Sequence, residues 1–98
     1  MKIDLKKNDK ELFIKLEGKL DTNTSSDLDS KISELEGVEK VIIDMEKLDY
    51  ISSAGLRVLL SMQKIMNKQG EMILKNVCEN VMDIFEVTGF SEILNIED

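Results

Sequence analysis

The sequence contains no histidine and a single cysteine, Cys78. Without histidine, Ser-His-Asp and Cys-His nucleophile systems are excluded, as are histidine-ligated metal sites. One cysteine allows no internal disulfide, which suits a reducing compartment. The five glycines, Gly18, Gly37, Gly55, Gly70 and Gly89, are dispersed, so none of them builds a phosphate-binding loop. No apolar run exceeds three residues, as in Val41-Ile42-Ile43 and Val58-Leu59-Leu60, so no segment can cross a bilayer as a helix. The first residues, Met1-Lys2-Ile3-Asp4-Leu5, lack the apolar stretch of a signal peptide, and the expected address is the cytoplasm. Positive charge is also short: 13 lysines and arginines stand against 20 acidic residues, a formal net charge of −7. Such a surface repels nucleic-acid phosphates and anionic membranes, so neither is an expected partner; a protein with a basic face is.

What remains is a chain of 98 residues, 42% apolar and 34% charged. That is enough for a single domain, residues 1–98, with one core and a heavily charged surface. Glycines punctuate it at changes of periodicity. Residues 2–7 alternate through Ile3 and Leu5, and residues 11–18 through Leu12, Ile14 and Leu16. With Asn8-Asp9 as a turn, they form a predicted β-hairpin. Asp21-Thr22-Asn23-Thr24 is rich in helix caps. Leu28, Ile32 and Leu35 follow at helical spacing and predict a helix ending at Gly37. Val41-Ile42-Ile43 reads as a central strand covered on both faces, followed by a loop over 45–51.

A second helix is predicted from about Ala54 to Gln69. Ala54, Val58, Leu59, Met62, Ile65 and Met66 share its apolar arc, while Leu56 and Leu60 lie off it beside Gln63 and Asn67. Met72-Ile73-Leu74 predicts a strand. Asn76 is placed to cap a third helix carrying Val77, Val81, Ile84 and Phe85, closed by Thr88-Gly89. Phe90, Ile93, Leu94 and Ile96 predict a turn and a last strand. The order β-β-α-β-α-β-α-β implies parallel crossovers and hence an α/β fold, a mixed sheet of about five strands with three main helices.

Ser52-Ser53-Ala54-Gly55-Leu56-Arg57 stands out because it follows a strand and opens a helix. A helix N-terminus presents unpaired N–H groups and a partial positive charge. A hydroxyl there is a good cap, and a phosphate there is well placed. Gly55 allows another backbone or a nucleotide phosphate to approach closely, and Arg57 lies four residues beyond Ser53, within reach along the helix. On this chemistry alone, two serines before a helix are usually just a cap, and glycine in a first turn is common. Cys78 has the setting of an unreactive helix cysteine, and the methionines fill core gaps. Asp27/Asp29 and Glu34/Glu36 read as a solvated helix face rather than a metal site, and no cofactor is expected.

The segment Tyr50-Ile51-Ser52-Ser53-Ala54-Gly55-Leu56-Arg57-Val58-Leu59-Leu60 resembles the signature of STAS domains, in particular bacterial anti-sigma factor antagonists. Gly18-Lys19-Leu20-Asp21 resembles the family's turn before its first helix. Val41-Ile42-Ile43-Asp44-Met45 with Leu48 and Asp49 resembles the strand and loop before its phosphosite. Phe85-Glu86-Val87-Thr88-Gly89-Phe90 resembles its closing helix and turn. The resemblance covers nearly the whole chain. It implies a non-catalytic switch: an unphosphorylated antagonist binds an anti-sigma factor that is also a serine kinase of the GHKL type, and frees the sigma factor. The kinase then phosphorylates the antagonist and releases it, and a metal-dependent serine phosphatase resets it. Aligned on Gly55-Leu56, the acceptor falls at Ser53, with Ser52 the second choice. The best-known members carry Asp before the acceptor and Gly after the Leu, where this chain has Ser52 and Arg57.

On the same basis the partner surface is expected to include Asp21, Ser52, Ala54, Gly55, Leu56, Arg57 and Leu60. Asp21 would orient the Ser53 hydroxyl or meet the kinase; capping the helix entry is the alternative. Leu56 and Leu60 would dock the partner; packing against a neighbouring element is the alternative. The runner-up function is a STAS subunit of another assembly, a stress-signalling complex or a lipid-transport machine, without phosphorylation. A weak nucleotide hydrolase is disfavoured by the missing phosphate loop and histidine.

Overall fold

The structure, a computed structural model, describes residues 1–97. A hairpin opens the chain: β1 (Lys2–Asn8) runs antiparallel to β2 (Glu11–Leu20), with Asn8 opposite Glu11. Asp9 supplies the positive φ of 57° that so tight a connection needs, a conformation aspartate tolerates better than most residues. There follow α1 (Ser25–Asp29), a 3-10 turn (Ile32–Leu35), β3 (Lys40–Ile51), α2 (Ser53–Gln69), β4 (Glu71–Lys75), α3 (Glu79–Thr88), a second 3-10 turn (Phe90–Glu92) and β5 (Asn95–Glu97). The strands lie in sequence order, β1-β2-β3-β4-β5, and every pair after the hairpin is parallel. The expected order of elements and the mixed five-stranded sheet are both present.

Strand order without a reversal sends every crossover in one direction. With crossovers of one hand, the helices gather on one face of the sheet. Burial agrees: Leu12, Ile14, Leu16, Val41, Ile43, Met45, Met72 and Leu74 join Leu59, Met62, Met66, Val81 and Phe85 in one core. Their neighbours Phe13 and Ile42 point the other way and are not sealed. The reading of Val41-Ile42-Ile43 as covered on both faces is corrected accordingly, because only one face carries helices.

Three local expectations also change. The helix expected up to Gly37 is split, α1 ending at Asp29 and a 3-10 turn carrying Ile32 to Leu35. Serine chemistry accounts for the break: the Ser30 hydroxyl donates to the Asp27 carbonyl at 2.6 Å, competing with the helical ladder. Leu28 and Leu35 are nonetheless both sealed in the core. Asn76 does not cap α3; it takes a positive φ of 59° and its amide donates to Asp44 Oδ1 at 3.1 Å, while Cys78 occupies the cap position.

Residues 45–51, expected as a loop, are strand. β3 runs twelve residues and pairs with β2 to its end, with register shifts opposite Lys15/Glu17 and Gly18/Lys19. Each shift is a bulge that sets one extra β3 residue against β2. Buried residues in β3 consequently step from a spacing of two (Val41, Ile43, Met45) to a spacing of three (Met45, Leu48, Ile51). Carbonyls in the bulged stretch are taken up by the start of α3, where Asn80 donates to the Asp49 carbonyl at 2.8 Å and the Cys78 thiol meets that of Leu48 at 3.4 Å.

Candidate functional site

Leu20 and Ile51 are paired residues at the C-terminal ends of the parallel strands β2 and β3. The chain leaves each strand there, toward Asp21 on one side and Ser52 on the other. The Ser52 N–H donates to the Leu20 carbonyl at 2.8 Å, which carries the ladder one bond past the last strand pair. This brings Asp21 alongside Ser52, the residue before Ser53.

The two serines divide the work. Ser52 is the N-cap of α2, in extended conformation, and its hydroxyl accepts the Gly55 N–H at 3.3 Å. Its own carbonyl accepts the Leu56 N–H at 2.9 Å, the first helical bond. Ser53 is the first helical residue and is exposed. Its hydroxyl has no hydrogen-bond partner among the described residues. It therefore stands free at the positive end of a helix of 17 residues, with no acidic residue in the first turn.

Gly55 fixes where that helix begins. A Cβ built on it would lie 2.8 Å from Leu20 Cγ and 2.9 Å from both Ile51 Cγ1 and the Leu20 carbonyl oxygen. The first turn of α2 is pressed directly on the ends of β2 and β3, and only a residue without a side chain allows that approach. The expectation that Gly55 lies on the partner surface is corrected: the backbone it admits is the chain's own, and Gly55 is buried. Leu56 is corrected likewise. It is 5% exposed and belongs to the core, so it is not on a docking surface. Gln63, seven residues on and on the same side of the helix, is 5% exposed as well. The buried arc of α2 is wider than the sequence pattern implies because the helix packs against β3 and β4 on one side and against α1 and the first 3-10 turn on another. Leu60 is half-buried, Ala54 is partly exposed and Arg57 is exposed.

Asp21 organises the entry to α1. Its Oδ1 accepts the backbone N–H groups of Asn23 and Thr24, each at 2.9 Å, and lies 3.1 Å from the Thr24 hydroxyl. Its own N–H donates to that hydroxyl at 2.9 Å, and the hydroxyl donates to the Lys19 carbonyl at 2.7 Å. The Thr24 N–H, followed by the Thr24 hydroxyl and the Asn23 N–H, outweighs a partial loss of hydration and holds the Asp21 carboxyl below the ordinary aspartate range. Asp21 is thus a charged acceptor occupied by the loop that precedes α1, whose N-cap is Thr24.

Sequence reasoning missed the groove beside the serines. A shallow cavity of about 300 Å³ between α1 and α2 is lined by Ser25, Ser26, Asp29, Ala54, Arg57, Val58 and Ser61. Arg57 and Asp29 share it without an ion pair. The α1 residues gave no signal because their spacing to α2 is set by the crossover and not by any motif. Among the described residues, no group of three or more His, Cys, Asp or Glu could hold a metal, and no helix is long and apolar enough to cross a membrane.

Comparison with known proteins gives a consistent result. The STAS domain family matches residues 2–98. The protein BtrV of Bordetella bronchiseptica, assigned as an anti-sigma factor antagonist, is 34% identical over 99 residues, covering 98% of this chain and 85% of that protein. The anti-sigma-B factor antagonist of Bacillus subtilis is 28% identical over 96 residues, covering 96% of this chain and 88% of its own length. Among solved structures, the Bacillus anti-sigma factor antagonist SpoIIAA superposes with a TM-score of 0.77 in its unphosphorylated form, at 22% identity and covering 99% of this chain and 88% of that one. Its phosphorylated form gives 0.75. Profile, relatives and backbone agree along the length of the chain, which belongs to the STAS domain family.

Proposed function

We propose that this protein is an anti-sigma factor antagonist switched by phosphorylation of Ser53. Unphosphorylated, it binds a cytoplasmic anti-sigma factor that is also a GHKL-type serine kinase, and so releases the sigma factor. The kinase transfers the γ-phosphoryl group of ATP to Ser53 Oγ: the Oγ–P bond forms, the bond to the β-phosphate oxygen breaks, ADP leaves and the hydroxyl proton passes to a kinase base. A metal-dependent serine phosphatase returns the hydroxyl by hydrolysis. The chain itself serves as substrate and ligand and performs no catalysis.

The observation that carries this reading is the division of labour at the tip of α2. Ser52 is committed to its cap, while Ser53 is exposed with an unengaged hydroxyl. A phosphate on Ser53 adds about −1.5 to −2 charges. At a helix N-terminus this stabilises the fold by about 0.3–1 kcal/mol, and Arg57 is one turn away. The domain stays folded, but a partner seated on Ser53, Ala54, Arg57 and the α1–α2 groove must desolvate the new charge. The names of the relatives favour the anti-sigma partner over other STAS assemblies.

The test is a binding and labelling experiment with a GHKL-type anti-sigma factor kinase from the same organism. Wild type is expected to bind it and to be labelled on Ser53 with ATP; Ser53→Ala should bind without labelling, and Ser53→Asp should lose at least ~10-fold in affinity. Undiminished labelling of Ser53→Ala, or full affinity in Ser53→Asp, would overturn the proposal.

A further inference from the structure

The sheet face that carries no helix has a regular pattern. On its three central strands, outward residues form rows across the sheet: Glu11, Lys40 and Glu71; then Phe13, Ile42 and Ile73; then Lys15, Asp44 and Lys75. An apolar row therefore lies between two charged rows of opposite sign order. Phe13 is 39% exposed, and Ile73, though only 7% exposed, stands outside the core cluster. A cavity of about 250 Å³ lies on this side of the sheet, lined in part by Lys6, Phe13, Lys15, Ile42 and Asp44. The chain carries a net charge of −7, yet within these rows three lysines (Lys15, Lys40, Lys75) stand against three acids (Glu11, Asp44, Glu71). A partner of one sign has nothing to recognise here. Within a copy Lys40 pairs with Glu71 at 3.8 Å and Lys75 with Glu97 at 3.5 Å, and the same face turned about offers each charged row a second set of opposite charges.

We propose that this face is a homodimer interface, in which a second copy packs sheet to sheet about a two-fold axis running across the strands along the Phe13–Ile42–Ile73 row. Rotation about that axis keeps each strand over its own copy but reverses its direction. Glu11 then faces Lys15 of the other copy, Lys40 faces Asp44, and Glu71 faces Lys75, while the apolar row meets itself. An axis along the strands would instead set Glu11 over Glu71 and Lys15 over Lys75. The one like-charged meeting, Lys6 with its copy, falls on the edge strand in solvent, where it is screened.

Five strands about 4.8 Å apart, from three to twelve residues long, give a face of roughly 500 Å² per copy. The total, about 1,000 Å², sits at the low end for specific interfaces, so the dimer is a weak, concentration-dependent one. Ser53 lies past the end of β3 on the helix-bearing side, so both copies keep it free. The proposal does not depend on phosphorylation.

Sedimentation of the full chain between 10 µM and 1 mM, together with two charge variants, tests it. Lys15→Glu/Lys75→Glu makes β2 and β4 acidic at both ends of the row; Glu11→Lys/Glu71→Lys makes them basic. Each variant alone should raise the dimer dissociation constant at least ~10-fold, and an equimolar mixture should form the heterodimer. Circular dichroism and melting of each variant establish that it is folded. Wild type monomeric throughout the range, leaving the face to some other protein, would overturn the proposal. So would a dimer unaffected by either folded variant, or folded variants that fail to pair with each other.

Discussion

Replacing Gly55 by alanine tests the construction of the α2 tip. In an unobstructed helix the change is favourable by up to about 1 kcal/mol, since glycine is the poorer helix former. Here the added Cβ lands 2.8–2.9 Å from Leu20 Cγ, Ile51 Cγ1 and the Leu20 carbonyl oxygen. The two carbons can rotate aside at some cost, but the carbonyl is pinned by its 2.8 Å bond from the Ser52 N–H. Relief requires the helix start to lift by about half an ångström or more, the kind of overpacking that costs about 1–3 kcal/mol. Contact with a pinned backbone oxygen puts the cost in the upper part of that range, about 2–3 kcal/mol, and set against the propensity gain the net loss is about 1–2 kcal/mol. For a domain of this size that lowers the melting temperature by about 4–16 °C. Thermal melts followed by circular dichroism, with urea titrations to separate stability from a change in slope, measure it. A Gly55→Ala protein as stable as wild type would refute the claim that close approach is why glycine stands there.

Removing the cap should be costlier than removing the proposed acceptor: Ser52→Ala is expected to lose about 0.5–1 kcal/mol in urea unfolding, and Ser53→Ala to stay within about 0.5 kcal/mol of wild type; the reverse order would mean the roles are exchanged. Leu56→Ala should lose about 2–5 kcal/mol of stability, as a core truncation does, whereas loss of partner affinity in an equally stable protein would return Leu56 to the surface. The Asp21 carboxyl, followed by NMR titration, should show its inflection below that of an unstructured aspartate. Because its folded pKa is depressed, its contribution to stability is fully present above the unfolded value and is lost as pH falls through the folded one. Asp21→Asn should flatten stability over that acidic window, and an unaltered pH profile would remove the loop role.

Most of the architecture was legible from periodicity. Alternation in 2–7 and 11–18 marked the hairpin, and the Val58–Leu59–Met62–Met66 spacing marked the long helix, because each is a regular element with one buried face. The misreadings share a cause. Met45, Leu48 and Ile51 are spaced by three because bulges add residues to the strand, and a three-residue spacing is neither strand nor helix when read locally. Leu56 and Gln63 looked peripheral because burial on the flanks of α2 comes from elements distant in sequence. At the site, the helix start and its two serines were readable from local chemistry; that Ser52 caps while Ser53 stands free needed coordinates. Gly55 was noticed for the right physical property, but the backbone that comes close is Leu20. The groove shared by Ser26, Asp29 and Arg57 is a product of the crossover and has no sequence signature.

The paired irregularities in β3 place a parity rule on the segment that delivers the acceptor. From Ile14 to Leu20 the second strand advances six positions while its neighbour advances eight, from Ile43 to Ile51. Both endpoints still face the same layer, because two inversions cancel. A single deletion between Met45 and Tyr50 would leave one inversion standing, turn Ile51 toward the bare side of the sheet and point the serine cap inward. Removing two residues would preserve the facing and straighten the strand. Length changes here are therefore tolerated, if at all, in even steps, and a library of deletions scored for folding would display that alternation directly.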